Sequence, residues 1–284
     1  MKKIAVFIAF SILFFSSYSS IAIKISIDNN TNKVNIEKNY AVIVGTNYNS
    51  WTTSSAIEFK NSIDKDGYWD EIKLLSGFDA TKNNIERQIS WLISKSYGGT
   101  NTLLFYLIGH SGTSFFETSD GKVIYDSDFV KYFQKITSRF GKNKLILIFE
   151  TCYSGRFCKE KENRFFENIF RYSFLKFENF LGFFKNTIYP LDKTKNLGIL
   201  NNLVKPGRIL ITSCNTNELA YKGHYNIAAF TNYIKDAIND YDLEKIEDIF
   251  KIAKENTIIY ADNFCPGPQT PKIIDRCDGK IRIV

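Results

Sequence analysis

The sequence predicts an α/β fold whose central sheet is mostly parallel and covered by helices on both faces. Three observations carry this. Short apolar runs rich in β-branched residues recur along the chain, each continuous rather than alternating, as in strands buried on both sides. Stretches with apolar residues at helical spacing separate them, so strand and helix alternate. Several runs stop on glycine or a small polar turn, where a strand hands the chain to a loop.

The elements follow in order. "YAVIVG" (40–45) is the first buried strand, and a helical stretch covers 56–63. "EIKLLSG" (71–77) is the second strand, after which Thr81 caps a helix with apolar positions Ile85, Ile89, Leu92 and Ile93. "NTLLFYLIGHSG" (101–112) is the third, ending on Gly109 and His110. "SFFETSDGKVIYD" reads as a hairpin turning at Asp120 and Gly121. Ser127 or Asp128 then caps a helix over 129–140. "KLILIFE" (144–150) and "GRILITSC" (207–214) are the fourth and fifth strands. Helices at about 227–238 and 243–256, and a short strand in "KIRIV", complete the chain.

The first 22 of the 284 residues have two lysines, an apolar run of about a dozen residues and then small polar ones. That run is too short to span a bilayer and suits a secretory signal. Cleavage is expected near Ala22, and an uncleaved membrane anchor is the alternative. Residues 23–38 form a polar lead-in, and 39–284 are expected to be one domain. Lys2 and Lys3 supply two of the +7 formal charges, leaving about +5 on the remainder. The charge is dispersed and no nucleic-acid motif accompanies it, so no nucleic-acid partner is expected.

Cys152, Cys158, Cys214, Cys265 and Cys277 make an odd count, which in an exported protein leaves one thiol over. A disulfide between Cys265 and Cys277 would staple "CPGPQTPKIIDRC". With no CxxC pair and both histidines far from any cysteine pair, neither a zinc site nor a cofactor is expected. "DKDG" (64–67) is too short to signal calcium.

One region breaks the alternation. About fifty residues, 157–206, separate the fourth and fifth strands, far more than an ordinary crossover. Phe166, Ile169, Phe170, Phe177, Phe180, Leu181 and Phe184 fall near helical spacing there. A helix or hairpin packed on the domain, a surface that meets a membrane or a protein, and a lid over a site all fit this pattern.

In parallel sheets, ligands bind at the carboxyl ends of the strands. His110 and Cys152 both lie just past such ends. A thiol is a strong nucleophile as thiolate, and a neighbouring imidazole stabilises that form. Gly109, Gly112 and Gly155 permit tight turns, and backbone N–H groups beside His110, at Ser111, and at Cys152 can face a developing oxyanion. His224, in a polar loop, is the rival base.

"LLFYLIGHSG" followed some forty residues later by "LILIFETCYSG" resembles the legumain and caspase clan of cysteine peptidases. The similarity runs from "YAVIVGTNY" to "GRILITSCNTNELAY", less the insertion. The E-x-C word is similar to the legumain branch and to the glycosylphosphatidylinositol transamidase subunit; metacaspases usually show Asp there. The resemblance implies a caspase-like three-layer α/β/α sandwich, with Cys152 as nucleophile and His110 as its partner. It places Glu150 in the S1 pocket, where an acid would select Lys or Arg at P1, with Asn as alternative. "TSCNTNELAY" resembles the opposite pocket wall, so Ser213, Cys214 and Glu218 are expected to touch substrate. Cys214 is alternatively buried or bonded to Cys158. Lys159, Arg164 and Lys176 lie where caspase relatives are processed, so self-cleavage is expected there. The function so implied is an exported cysteine endopeptidase acting on protein or peptide through an acyl-enzyme. A transpeptidase of the same clan and a catalytically silent binding module are the alternatives.

Overall fold

The computed structural model describes residues 25–27, 34–46, 50–65, 67–97, 100–137, 143–158, 203 and 205–284. The expected signal segment (1–22) and the phenylalanine-rich stretch with its candidate cleavage sites lie outside the described residues.

Two three-residue strands, β1 (Ile25–Ile27) and β2 (Val34–Ile36), pair antiparallel in what the sequence suggested was a loose lead-in. The main sheet begins with β3 (Asn39–Gly45) and β4 (Glu71–Ser76). It continues with β5 (Thr102–Gly109), then β8 (Lys144–Thr151), β9 (Arg208–Thr212) and β10 (Lys272–Asp275). Between β5 and β8 come the small hairpin strands β6 (Phe115–Glu117) and β7 (Val123–Tyr125), turning at Gly121 with φ of 71°. The six strands lie in the order β10-β9-β8-β5-β3-β4. All neighbours are parallel except β10, which runs antiparallel to β9.

Alternation along the strands sends successive side chains to opposite layers. Ile43, Tyr106, Ile108, Ile146, Ile148 and Ile211 face α1 (Ser50–Ile63), α4 (Ala229–Asn239) and α5 (Ile246–Phe264). Val42, Val44, Phe105, Leu107, Leu147 and Phe149 face α2 (Lys82–Ser94) and α3 (Asp126–Thr137). The result is the expected three-layer α/β/α sandwich, with β5 buried along its whole length. Thr81 caps α2 as expected, accepting from the Asn84 N–H at 3.3 Å. At α3, Asp128 instead reaches back to the Tyr125 N–H at 3.3 Å, the acidic half of a capping box.

Several boundaries differ from the sequence reading, α3 among them: it starts at Asp126 and not at 129, so that Ser127 and Asp128 lie inside it. α1 starts at Ser50, because the polar run ahead of Ala56 still offers Trp51 and Ser55 to the interior. α5 extends to Phe264, since no glycine or proline interrupts the chain before Pro266. The last strand is β10, not "KIRIV". Ile281 and Ile283 pack as buried irregular chain, and the Ile283 carbonyl accepts from Trp69 Nε1 at 2.9 Å.

Candidate active site

β5 and β8 are adjacent and parallel, with Gly109 opposite Thr151. The next residues on the two strands are His110 and Cys152. Neighbouring strands stand about 4.8 Å apart, so the imidazole and the thiol emerge side by side at one rim. By strand alternation both belong to the face of Ile108 and Glu150, under α1 and α4. Trp51 of α1 closes this side, its ring edge-on to His110 at 6.3 Å between centroids. Both His110 and Cys152 are half-buried.

The turn after Cys152 is held from several directions. The Cys152 carbonyl accepts from Ser111 Oγ at 2.5 Å and from Arg156 Nη1 at 3.2 Å. Arg156 is itself buried in the 3-10 turn Ser154–Cys158, where its guanidinium grips Asp126 through two bonds of 2.7 and 2.9 Å. Tyr153, next to Cys152, sits at a φ of 59°, a strained region for a bulky residue. Its N–H donates to the Glu218 carbonyl at 2.8 Å, which holds it there. Gly155 is required for packing: a Cβ would collide with the backbone of Asn215 and Thr216.

The oxyanion donors are fewer than the glycines suggested. Gly112 uses its N–H on the Phe115 carbonyl at 3.0 Å, and the N–H of Gly155 points at the Cys214 sulfur. Gly109 lies within β5, where a side chain would strike the Thr46 hydroxyl and the Phe116 ring. Ser111 forms a bridge with Phe116 in which the flanking residues, not Ser111, exchange the hydrogen bonds. Its N–H therefore stays outside the bridge, whereas by the β5–β8 register the Cys152 N–H completes the ladder to the Gly109 carbonyl.

The expected pocket residues are mostly sealed beneath the rim. Glu150 is fully buried; its carboxylate accepts from the Thr231 N–H (3.1 Å), the Thr231 hydroxyl and the Tyr106 hydroxyl (3.0 Å). Burial pushes its carboxyl up to about 7, against those hydrogen bonds, which pull the other way. Cys214 is buried and donates to the carbonyls of Thr151 and Glu218 at 3.2 and 3.3 Å, so it is a strut and not an open contact. Glu218 is tied down by the N–H groups of Asn215 (2.9 Å) and Thr270 (2.6 Å), organising the loop instead of facing a ligand. Ser213 continues β9 with its hydroxyl buried and unbonded, on the same face as Glu150.

All five thiols are free, so neither Cys265–Cys277 nor Cys158–Cys214 is a disulfide. Burial instead pushes Cys158 up to about 11. His224 lies in an exposed 3-10 turn against the rings of Tyr260 (4.9 Å) and Phe264 (6.2 Å), not at the β5–β8 rim. Among the described residues no group of three His, Cys, Asp or Glu could hold a metal ion, and no helix is long and apolar enough to cross a membrane.

A caspase-domain family model matches residues 38–271, which takes in β3 through the whole loop before β10 and both rim residues. The chain belongs to the caspase-domain family. Its activity class is that of a cysteine peptidase, with protein or peptide as substrate. Caspase-1 from Spodoptera frugiperda superposes with a TM-score of 0.56 at 7% identity, covering 92% of this chain and 97% of its own. A protein from Geobacter sulfurreducens gives 0.51 at 11% identity, covering 87% and 97%. At these identities the two structures speak for the fold. No curated protein matches the sequence.

The caspase domain thus brings His110, Ser111 and Cys152 together, with Glu150 and Ser213 beneath them. Sequence reasoning missed Trp51, Arg156, Asp126 and Thr46. Arg156 carried a usable signal: a charged residue inside a short turn that is otherwise small or apolar.

The acid–base state of Glu150 makes a prediction. A carboxyl raised from 4.5 to about 7 holds its proton in the fold but loses it when unfolded. Stability from this group is therefore full below about pH 4.5 and lost as pH rises towards 7, by roughly 3 kcal/mol in the limit. Urea melts of wild type and Glu150→Gln at pH 5, 6, 7 and 8 are expected to diverge with rising pH, with the Gln variant gaining relative stability. Parallel curves would mean that Glu150 keeps an ordinary carboxyl in the fold.

Proposed function

We propose that the chain is an exported cysteine endopeptidase using a Cys152–His110 dyad. The observation that carries the reading is the register of β5 and β8, which ends two adjacent strands in an imidazole and a thiol, with the Ser111 N–H beside them. Cys152 gives its proton to His110, and the thiolate sulfur attacks the scissile carbonyl. The N–H of Ser111 holds the resulting oxyanion. His110 then protonates the departing amine nitrogen as the C–N bond breaks, leaving a thioester on Cys152. Water, deprotonated by His110, attacks that thioester and restores the thiol.

Selection at P1 falls to the Glu150 layer. A cationic Lys or Arg side chain reaching it would draw the carboxyl back to its charged form, and an Asn amide would donate to it in either form. Because Glu150 is covered by Thr231 and Tyr106, substrate must displace the Thr231 hydroxyl to touch it. Export rests on the two lysines and short apolar run of residues 1–22.

The test uses full-length protein under reducing conditions with coumarin-amide peptides bearing Arg, Lys or Asn at P1, and an acyloxymethyl ketone probe. Turnover of at least one peptide and a covalent adduct on Cys152 by mass spectrometry are expected. Protein that cleaves none and takes no label overturns the peptidase reading; protein found wholly in the cytoplasm of a secreting host, with Met1 retained, overturns export.

A further inference from the structure

The strand order fixes a sequence of positions along the rim. β9, β8, β5 and β3 are successive neighbours, so Ser213, Cys152, His110 and Thr46 follow one another across the carboxyl edge of the sheet. In the reaction proposed above, the nucleophile lies between the two halves of the substrate, and His110 must face the departing nitrogen. The acyl half therefore lies towards β9, and the half that leaves runs past His110 towards β3.

A cavity opens at that place. It measures about 320 Å³ and is lined by Thr46, His110 and residues 117–121 of the hairpin. Ligand pockets span about 300–1,000 Å³, so this one holds one or two residues and not a larger partner. Two features define what fits. Thr46 is 1% exposed, yet its hydroxyl has no hydrogen-bond partner, an unmet demand at the cavity wall. The charge is negative: Asp120 is matched by Lys122 at 3.0 Å, whereas the exposed Glu117 carboxylate has no ion pair among the described residues. Asp120 is further fixed by the Lys82 N–H and the Thr118 hydroxyl, which also hold its carboxyl well below the usual range. The wall is thus stiff, rich in acceptors and already formed.

We infer that this cavity is the subsite for the residue following the scissile bond, and that it selects a cationic, hydrogen-bond-donating side chain there. The inference rests on the peptidase reading for its direction along the rim. Lysine fits it best: a flexible stem passes His110 and an ammonium with three donors meets Thr46 and Glu117.

Internally quenched peptides identical except for Lys, norleucine or Glu at P1′ test this, because norleucine keeps the stem and lacks the charge. For wild type, kcat/KM is expected to favour Lys over norleucine by about three- to fivefold, the range for a largely exposed ion pair, with Glu lowest. Glu117→Gln is expected to bring the Lys-to-norleucine ratio close to one, and high salt to shrink it in wild type. A ratio of one in wild type, or one that Glu117→Gln leaves intact, overturns the inference even though the peptides are cleaved. Absence of all cleavage overturns the peptidase reading instead. In that event the same peptides, titrated by fluorescence anisotropy into Cys152→Ala protein, decide the charge preference through their Kd ratio.

Discussion

His110→Ala is expected to lower kcat/KM by about 10³-fold, within the range for a positioned general acid–base group. Cys152→Ala is expected to remove turnover and probe labelling together, because the covalent intermediate has no other site. The double variant should be no worse than Cys152→Ala alone. The two side chains serve one proton transfer and one attack, so their losses are not additive. The measurement is coumarin-amide hydrolysis across pH 5 to 9 for all three variants. The pH profile of wild type should differ in shape from that of His110→Ala, because only wild type keeps the acid–base group. A His110→Ala enzyme with wild-type rates would move the base elsewhere, and His224→Ala would then be the variant to assay.

The second large effect belongs to Arg156. It is buried beside Asp126 and, through Nη1, bonded to the Cys152 carbonyl. Arg156→Met should cost about 3–5 kcal/mol of stability, because it leaves the Asp126 carboxylate buried without its partner. Asp126→Asn leaves the guanidinium in the corresponding position and should cost a comparable amount. Replacing both, as Arg156→Met with Asp126→Leu, should return most of that stability, since a packed apolar pair can substitute for a buried ion pair. It should not return kcat. The Cys152 carbonyl would then keep Ser111 and the long bond from the Thr151 hydroxyl, and the strained turn at Tyr153 would lose one of its restraints. Recovery of the melting transition with kcat still depressed and KM near wild type identifies Arg156 as a positioning residue; kcat recovering in step with stability would make it a structural one.

The sheet was legible because buried parallel strands write themselves as unbroken apolar runs. β3, β5, β8 and β9 came through in that way, and the turn at Gly121 through its Asp-Gly pair. The rim was legible for the same reason: once the strand ends are known, His110 and Cys152 follow. What sequence could not supply was the depth of a side chain at the strand end. Glu150 and Cys152 share a face, but one step of two along the strand separates a half-buried thiol at the rim from a sealed acid held by α4. Nor could it reveal contacts that join distant segments, such as Asp126 to Arg156 or Glu218 to Thr270. Terminal "KIRIV" misled because alternating Ile and Arg fits a strand as well as it fits an irregular tail with two buried isoleucines.

The pairing of β8 with β9 bears on what a break in the chain would do. These strands stand side by side over five residue pairs, and the Ser213 N–H continues the contact to the Phe149 carbonyl at 3.0 Å. The polypeptide between them departs directly after the nucleophile's turn. A cut at Lys159, Arg164 or Lys176 would therefore divide the molecule into two pieces that share a single core. One would carry both rim residues, and the other Ser213 together with the α4 residues that seal Glu150. With every thiol free, no covalent link would join them. The fragments would travel as one particle in native buffer and separate in denaturant, and neither alone would contain a complete site.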